Sequence, residues 1–214
     1  SYLNFVINEN IFVVLFFLFN LAYNDKKGGG NMIGELNIYS CYSFQNSTIL
    51  IKDLCKRAHD LHLEAIALTD INNMYGAVEF SNECHKYDIK PIFGMQGNVN
   101  VEGEIYPFLL LAKDQVGYHD LMKICSDINL SDQKAIDLEK LRLYHEHLFI
   151  LSGCKEGIVE RCVLKELESE ALRYMVLFKE MFKDNYYICL QDHGIQMQKH
   201  LNERLKALAK LQGI

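Results

Sequence analysis

The sequence has little of what marks several common protein classes. It contains no tryptophan, only two prolines, and 22 lysines and arginines against 28 aspartates and glutamates. The resulting net charge of −6 argues against a nucleic-acid clamp, because phosphate binding requires clustered lysine and arginine. The sequence also lacks a P-loop, a GxGxxG and a GxSxG, so no such motif points to nucleotide binding or serine hydrolysis.

Cysteine is present but unpaired in sequence. The seven cysteines are spread singly and form no CxxC pair: Cys41, Cys55, Cys84, Cys125, Cys154, Cys162 and Cys189. An odd, scattered set of this kind is typical of a reducing compartment and argues against a disulfide framework. We therefore expect a cytoplasmic protein.

Residues 1–31 differ from the rest of the chain. An apolar run, Ile11–Phe19, is followed by the glycines 28–30, which indicate a flexible boundary. The run is shorter than the ~20 residues that a membrane helix needs, and no basic residues precede it. We divide the chain into an appendage, 1–31, and a domain, 32–214. For the appendage a membrane anchor, a buried strand and a start-site artefact remain open, with the membrane the less expected.

From Met32 onward, short apolar runs alternate with amphipathic helical patterns. Strands are predicted at Leu36–Tyr39, Ala65–Thr69, Pro91–Phe93, Phe108–Ala112, Leu148–Leu151 and Tyr187–Leu190. Helices are predicted at Ile49–Leu61, Gly76–Tyr87, Val116–Ile128, Ile158–Leu164, Glu168–Phe182 and Gln196–Leu211, with a hairpin tip within Val99–Tyr106. This alternation predicts an α/β fold with a mainly parallel sheet, either open or closed into a barrel.

The stretch Ala65–Phe80 forms the centre of this pattern, since it combines a buried strand, a polar turn and the start of a helix. In α/β proteins ligands bind where strands end and helices begin, which places Asp70 at a candidate site. A hydrolytic metal site needs several converging His, Asp, Glu or Cys side chains. At the predicted strand ends only four are of these types: Asp70, Cys154, Asp192 and His193.

Three of these four residues also have a purely structural interpretation. Asp70 can stabilise its turn or cap the following helix, and Asp192 can cap the last helix. Cys154 has no evident basic partner, which favours a buried, inert thiol. On these residues alone, a metal site and a structural role both remain open.

Five segments resemble a known family in order and spacing: LTDINNMYGAVEF, IKPIFGM at Ile89–Met95, LLLAKDQVGYHDLMKI at Leu109–Ile124, LFILSGC at Leu148–Cys154 and LQDHG at Leu190–Gly194. They resemble the N-terminal PHP (polymerase and histidinol phosphatase) domain of the bacterial DNA polymerase III alpha subunit. The similarity runs from about Leu36 to Ile214. It implies a distorted seven-stranded, TIM-like (β/α) barrel, incomplete at its carboxyl end, at the start of a large replicative polymerase.

The resemblance also identifies the positions of the family's metal ligands. Metal-binding members carry histidine, aspartate or glutamate where this chain has neutral side chains: Asn37, Tyr39, Asn46, Ile71, Gln96 and Pro107. Only Cys154 is kept, with Asp70 beside it. One thiolate and one carboxylate are too few to hold a cluster of two or three metal ions, so no catalytic residue and no metal is expected in this segment.

We therefore expect an inactive scaffold, or a docking domain for a proofreading or other replisome subunit. Its partners would include the remaining polymerase domains of the same chain. DNA and the Mg²⁺ for nucleotidyl transfer would belong to those domains, because no paired palm carboxylates occur here. The alternative is an active phosphoesterase or proofreading exonuclease that binds Zn or Mn through Asp70, Cys154 and His193.

Overall fold

The computed structural model describes residues 35–191 and 194–214, so the expectations for residues 1–31 and for Asp192 and His193 lie outside the described residues. Within the described ranges the chain forms six strands and seven α-helices. In chain order they are α1 (Ile51–Asp60), β1 (Ala65–Leu68), α2 (Ala77–Lys86), β2 (Lys90–Val101), β3 (Glu104–Ala112), α3 (Gln115–Leu130), β4 (Ile136–Asp137), α4 (Leu138–Arg142), β5 (Leu148–Ser152), α5 (Ile158–Leu164), α6 (Glu168–Phe182), β6 (Tyr186–Tyr187) and α7 (Gln196–Gln212). None of the helices in this part of the chain is long and apolar enough to cross a membrane.

The strands form one mixed sheet in the order β1-β2-β3-β5-β6, with β4 paired to β2. Three pairings are parallel, β1 with β2, β2 with β4, and β5 with β6, and the other two are antiparallel. The predicted α/β class with a sheet rich in parallel pairings is confirmed. The resemblance implied seven strands, whereas the described residues contain six.

Both faces of the sheet are apolar and covered. Along β3, Phe108 and Leu110 pack in the cluster formed with α3, α5, α6 and α7, whereas Leu109 and Leu111 pack in a second cluster. This alternation follows from the two-residue period of a strand. In the first cluster Phe108 meets Phe178 edge to face, with ring centroids 5.2 Å apart. The second cluster lies under the candidate site and includes Cys189.

One predicted strand is missing and another is shorter than expected, for the same physical reason. Leu36–Tyr39 runs beside β1 but is not a strand, because the Ile38 amide donates to the Thr69 side chain (3.0 Å) instead of to a main-chain carbonyl. The last predicted strand reduces to β6. Beyond it the Cys189 amide donates to the Ser152 hydroxyl (2.8 Å). In both places a side-chain hydroxyl replaces a carbonyl of the ladder.

The second strand is much longer than predicted. Its outer half alternates buried Met95, Gly97, Val99 and Val101 with less buried polar residues, which is the period of a half-covered strand. The predicted hairpin tip is confirmed: Val101 pairs with Glu104, and Glu102 and Gly103 form the turn with positive φ values of 54° and 90°. Two positive φ values match the twist of a tight hairpin.

Candidate functional site

Asp70 follows β1 and is almost completely buried, with 1% of its surface exposed. Its Oδ1 accepts from the Ser40 amide at 2.8 Å and from the Ser43 hydroxyl at 2.6 Å, and its Oδ2 accepts from the Ser40 hydroxyl at 2.7 Å. Three donors to a charged acceptor form a strong local network. The carboxylate thus fixes the loop of residues 40–43 against the end of β1.

Asp70 does not cap the following helix. The residue at the N-cap of α2 is Gly76, and no side chain bonds to the amides there. The Ile71 amide instead donates to the Ser43 hydroxyl at 3.0 Å, which extends the same network. The capping interpretation of Asp70 is therefore wrong, and its hydrogen bonds hold a loop.

Four of the positions that the resemblance identified lie together beside Asp70. Tyr39 donates its hydroxyl to the Gln96 side-chain oxygen. The Asn37 amide donates to the Cys154 sulfur at 3.6 Å, and its oxygen accepts from the Thr69 hydroxyl at 3.4 Å. The pKa of Tyr39 is raised to about 12, mainly because the phenol is buried and secondly because Cys154 lies nearby. These side chains bond mainly to one another.

The remaining positions contribute no charged donor to this group. Asn46 is exposed, and its amide donates to the Phe44 carbonyl at 3.1 Å. Ile71 forms an isolated bridge with Gln96. Pro107 has its carbonyl against Gly153, where an added Cβ would come within 1.9 Å of the oxygen. His193 lies outside the described residues.

A residue that the sequence analysis did not single out completes the group. Cys189 is buried, and its Sγ lies 2.7 Å from the Sγ of Cys154, although both cysteines are free thiols. The Cys154 thiol and burial together raise the pKa of Cys189 well above its ordinary value. The available signal was positional, since Cys154 follows the predicted strand Leu148–Leu151 and Cys189 lies near the end of the next predicted strand, Tyr187–Leu190.

Below the two cysteines lies a buried carboxyl that sequence reasoning also missed. Glu160 of α5 accepts a hydrogen bond from the Ser152 hydroxyl, which itself accepts from the Cys189 amide. Glu160 is 1% exposed, and burial raises its pKa to about 7. A charged residue three positions before Val163 shares the inward face of that helix, and this spacing was the signal.

Two buried polar atoms in this region have no hydrogen-bond partner within the described part of the chain, Glu160 Oε2 and the Tyr186 hydroxyl. Glu160, Cys154, Cys189 and Asn202 line a small cavity that leaves about 10 Å³ for the centre of a water molecule. That is space for about one water and too little for a phosphate ester.

The Tyr186→Phe substitution should stabilise the protein by about 1 kcal/mol. It removes a fully buried hydroxyl that has no partner, and so removes a desolvation cost without opening a large cavity. Urea denaturation of both proteins measures the change. Tyr187→Phe is the matched control, because its hydroxyl donates to the Asp184 carbonyl at 2.9 Å and its loss should not stabilise. A loss of stability in Tyr186→Phe would contradict the assignment.

The donor set does not fit a multi-metal cluster. Asp70 is already bonded to two serines, Cys154 contacts an amide and a thiol, and the neighbouring side chains are neutral. Among residues 35–191 and 194–214 no group of three His, Cys, Asp or Glu side chains could hold a metal ion. Hydrolytic metal chemistry needs more anionic or imidazole ligands than these residues offer.

Comparison with known families gives a single assignment for the bulk of the chain. Residues 35–193 match the PHP domain. The chain belongs to the PHP domain family. The positions compared above are therefore those of a PHP domain, and the family resemblance inferred from the sequence is confirmed.

Curated relatives of this PHP domain include two proteins named DNA polymerase III subunit alpha. The protein from Borreliella burgdorferi is 32% identical over 194 residues, which cover 84% of this chain and 17% of the relative. The protein from Deinococcus radiodurans is 32% identical over 201 residues, with 84% and 15% covered. The PHP domain thus spans about a sixth of the length of these relatives.

Among solved structures, the PHP domain is similar to an amidohydrolase from Chromobacterium violaceum. The TM-score is 0.54 at 9% sequence identity, and the match covers 86% of this chain and 84% of that protein. At this identity the likeness shows the fold alone. It supports the TIM-barrel-like architecture that the resemblance implied.

Proposed function

We propose that this chain is a catalytically inactive PHP domain of a DNA polymerase III alpha-type replicative polymerase. In that role it is a rigid scaffold for the remaining polymerase domains and a docking surface for a proofreading or other replisome subunit. Two relatives of that name, each 32% identical to the chain, support the parent protein. DNA, Mg²⁺ and nucleotidyl transfer belong to the rest of such a polymerase, which works in the cytoplasm.

The observation that supports a catalytically inactive domain is that the neutral side chains at the implied ligand positions form hydrogen bonds with their neighbours. Tyr39 bonds to Gln96, and Asn37 bonds to both Thr69 and Cys154. A metal ion would have to break these bonds and would gain neutral ligands in return. Amide and phenol oxygens are weak ligands for Zn²⁺, which prefers thiolate, imidazole and carboxylate groups.

The metal content of the purified chain tests this proposal. After incubation with Zn²⁺ or Mn²⁺ and desalting, we expect far less than one equivalent of metal per chain, as measured by mass spectrometry of the elements. We also expect no hydrolysis of p-nitrophenyl phosphate or of single-stranded DNA above the level of the Cys154→Ala variant, since the ligand set is too small to activate water.

Cys162→Ala provides the control thiol, because Cys162 lies on α5 and bonds to none of the site residues. About one equivalent of metal that is lost in Cys154→Ala but kept in Cys162→Ala would contradict the proposal. Activity abolished by a chelator would contradict it equally and would favour the phosphoesterase or exonuclease alternative. Sequencing of the gene beyond these residues tests the parent protein, because paired palm carboxylates are expected there.

A further inference from the structure

The geometry points to a modification site that is independent of the proposed function: we propose that Cys154 and Cys189 are a peroxide-sensitive thiol pair that forms a reversible disulfide. The two sulfurs lie 2.7 Å apart, between a disulfide bond of about 2.05 Å and ordinary contact. Their closeness comes from the sheet. Cys154 follows β5, Cys189 follows β6, and these two strands are parallel neighbours.

The two thiols differ in access, which assigns their order of reaction. Cys154 is partly exposed, and its sulfur accepts a hydrogen bond from the Asn37 amide. Cys189 is only 4% exposed. A small oxidant therefore reaches Cys154 first, and Cys189 is the resolving thiol behind it.

The chemistry balances with a peroxide as the oxidant. The Cys154 thiolate attacks one peroxide oxygen, the O–O bond breaks, and hydroxide leaves to become water, which gives a sulfenic acid. The Cys189 sulfur then attacks the Cys154 sulfur, the S–O bond breaks, and the S–S bond forms. The departing hydroxide takes the Cys189 proton as a second water. Two thiols lose two electrons, and hydrogen peroxide gains them.

The fold holds the resolving cysteine in place for the second step. The Cys189 main chain is already fixed by its amide bond to Ser152, so the resolving sulfur stays next to its target.

The same chain contains an internal control. Cys55 of α1 and Cys84 of α2 have sulfurs 3.6 Å apart, but both side chains are completely buried. If proximity alone produced a disulfide, both pairs would react. If access to Cys154 decides the outcome, as we infer, only the pair at the sheet edge reacts with peroxide.

The reduced full chain is treated with about a ten-fold excess of hydrogen peroxide in the presence of a chelator, then alkylated and digested with trypsin. We expect mass spectrometry to show a disulfide between peptides 143–155 and 184–199, at least about ten-fold more abundant than one between 53–56 and 58–86. Dithiothreitol should reverse it. The oxidised protein should melt roughly 5–15 °C higher, because the bond joins residues 35 apart in the chain.

The variant Cys189→Ser keeps the exposed thiol and removes the resolving one, so Cys154 should proceed to the sulfinic acid without a cross-link. Cys154→Ser should leave Cys189 reduced. Three results would overturn the proposal: equal cross-linking of Cys55 with Cys84, sulfinic acid formation at Cys154 that is as fast in the wild type as in Cys189→Ser, or no oxidation of Cys154. The wild-type measurement alone decides the first and the third of these results if a serine variant fails to fold.

Discussion

The protein is expected to lose about 3 kcal/mol of stability between about pH 4.5 and about pH 8 through one residue, Glu160. Burial raises its pKa from 4.5 to about 7 in the folded state. The unfolded chain releases this proton near pH 4.5, whereas the folded chain holds it until about pH 7. The contribution is therefore complete below pH 4.5 and is lost as the pH rises through 7.

The variant Glu160→Gln isolates this effect. The amide keeps an acceptor for the Ser152 hydroxyl but cannot ionise, so the variant should be the more stable protein at high pH. Urea denaturation of both proteins at about pH 5 and about pH 8 gives the difference, and titration of other groups cancels in the comparison. Glu156→Gln is the control, because Glu156 is exposed and its pairing with Arg161 contributes little. Parallel pH curves for wild type and Glu160→Gln would refute the prediction.

Replacement of Asp70 by alanine is expected to cost about 3 kcal/mol, because it leaves three buried or partly buried donors without their acceptor. Asp70→Asn should cost less, about 1 kcal/mol, since one side-chain oxygen still accepts from Ser40 and Ser43. Urea denaturation measures both variants. Faster hydrogen exchange of the amides in residues 40–43 should accompany the loss.

Asp132→Ala is the matched control for this series, because Asp132 is exposed in the turn after α3. Its stability should stay within about 0.5 kcal/mol of the wild type. If Asp70→Ala is as stable as Asp132→Ala, the carboxylate does not hold the loop. If Asp70→Asn and Asp70→Ala lose the same amount, the loss depends on the negative charge rather than on the hydrogen bonds.

Much of the fold followed from the sequence, since apolar periodicity depends on local chain geometry. The bounds of Ile158–Leu164 and Glu168–Phe182 agree with the predicted helices. The predicted strand bounds were wrong where a side-chain hydroxyl accepts an amide hydrogen bond in place of a main-chain carbonyl. Thr69 and Ser152 accept amide hydrogen bonds that a ladder would have used, and no periodicity reports such a substitution.

The candidate site, like the fold, could be predicted only in part from the sequence. The resemblance assigned neutral residues to the positions where it implies metal ligands, because the motifs that carry it occur in order along the chain. The mutual hydrogen bonds of these residues were not visible, since Tyr39 and Gln96 are 57 residues apart and meet only through the sheet. The cap assigned to Asp70 was wrong because its nearest donors come from Ser40 and Ser43, on the preceding loop.

The sequence by itself determined the α/β alternation and the PHP family, and it has neutral residues at Asn37, Tyr39 and Gln96, where the resemblance implies metal ligands. These properties are set by residue type and by spacing along the chain. Only the tertiary structure decided which groups are buried and which sulfurs touch. Parallel pairing of β5 with β6 brings Cys154 to Cys189, and the packing of α5 buries Glu160. Distance and desolvation between remote segments depend on the folded chain, and they set the chemistry of both groups.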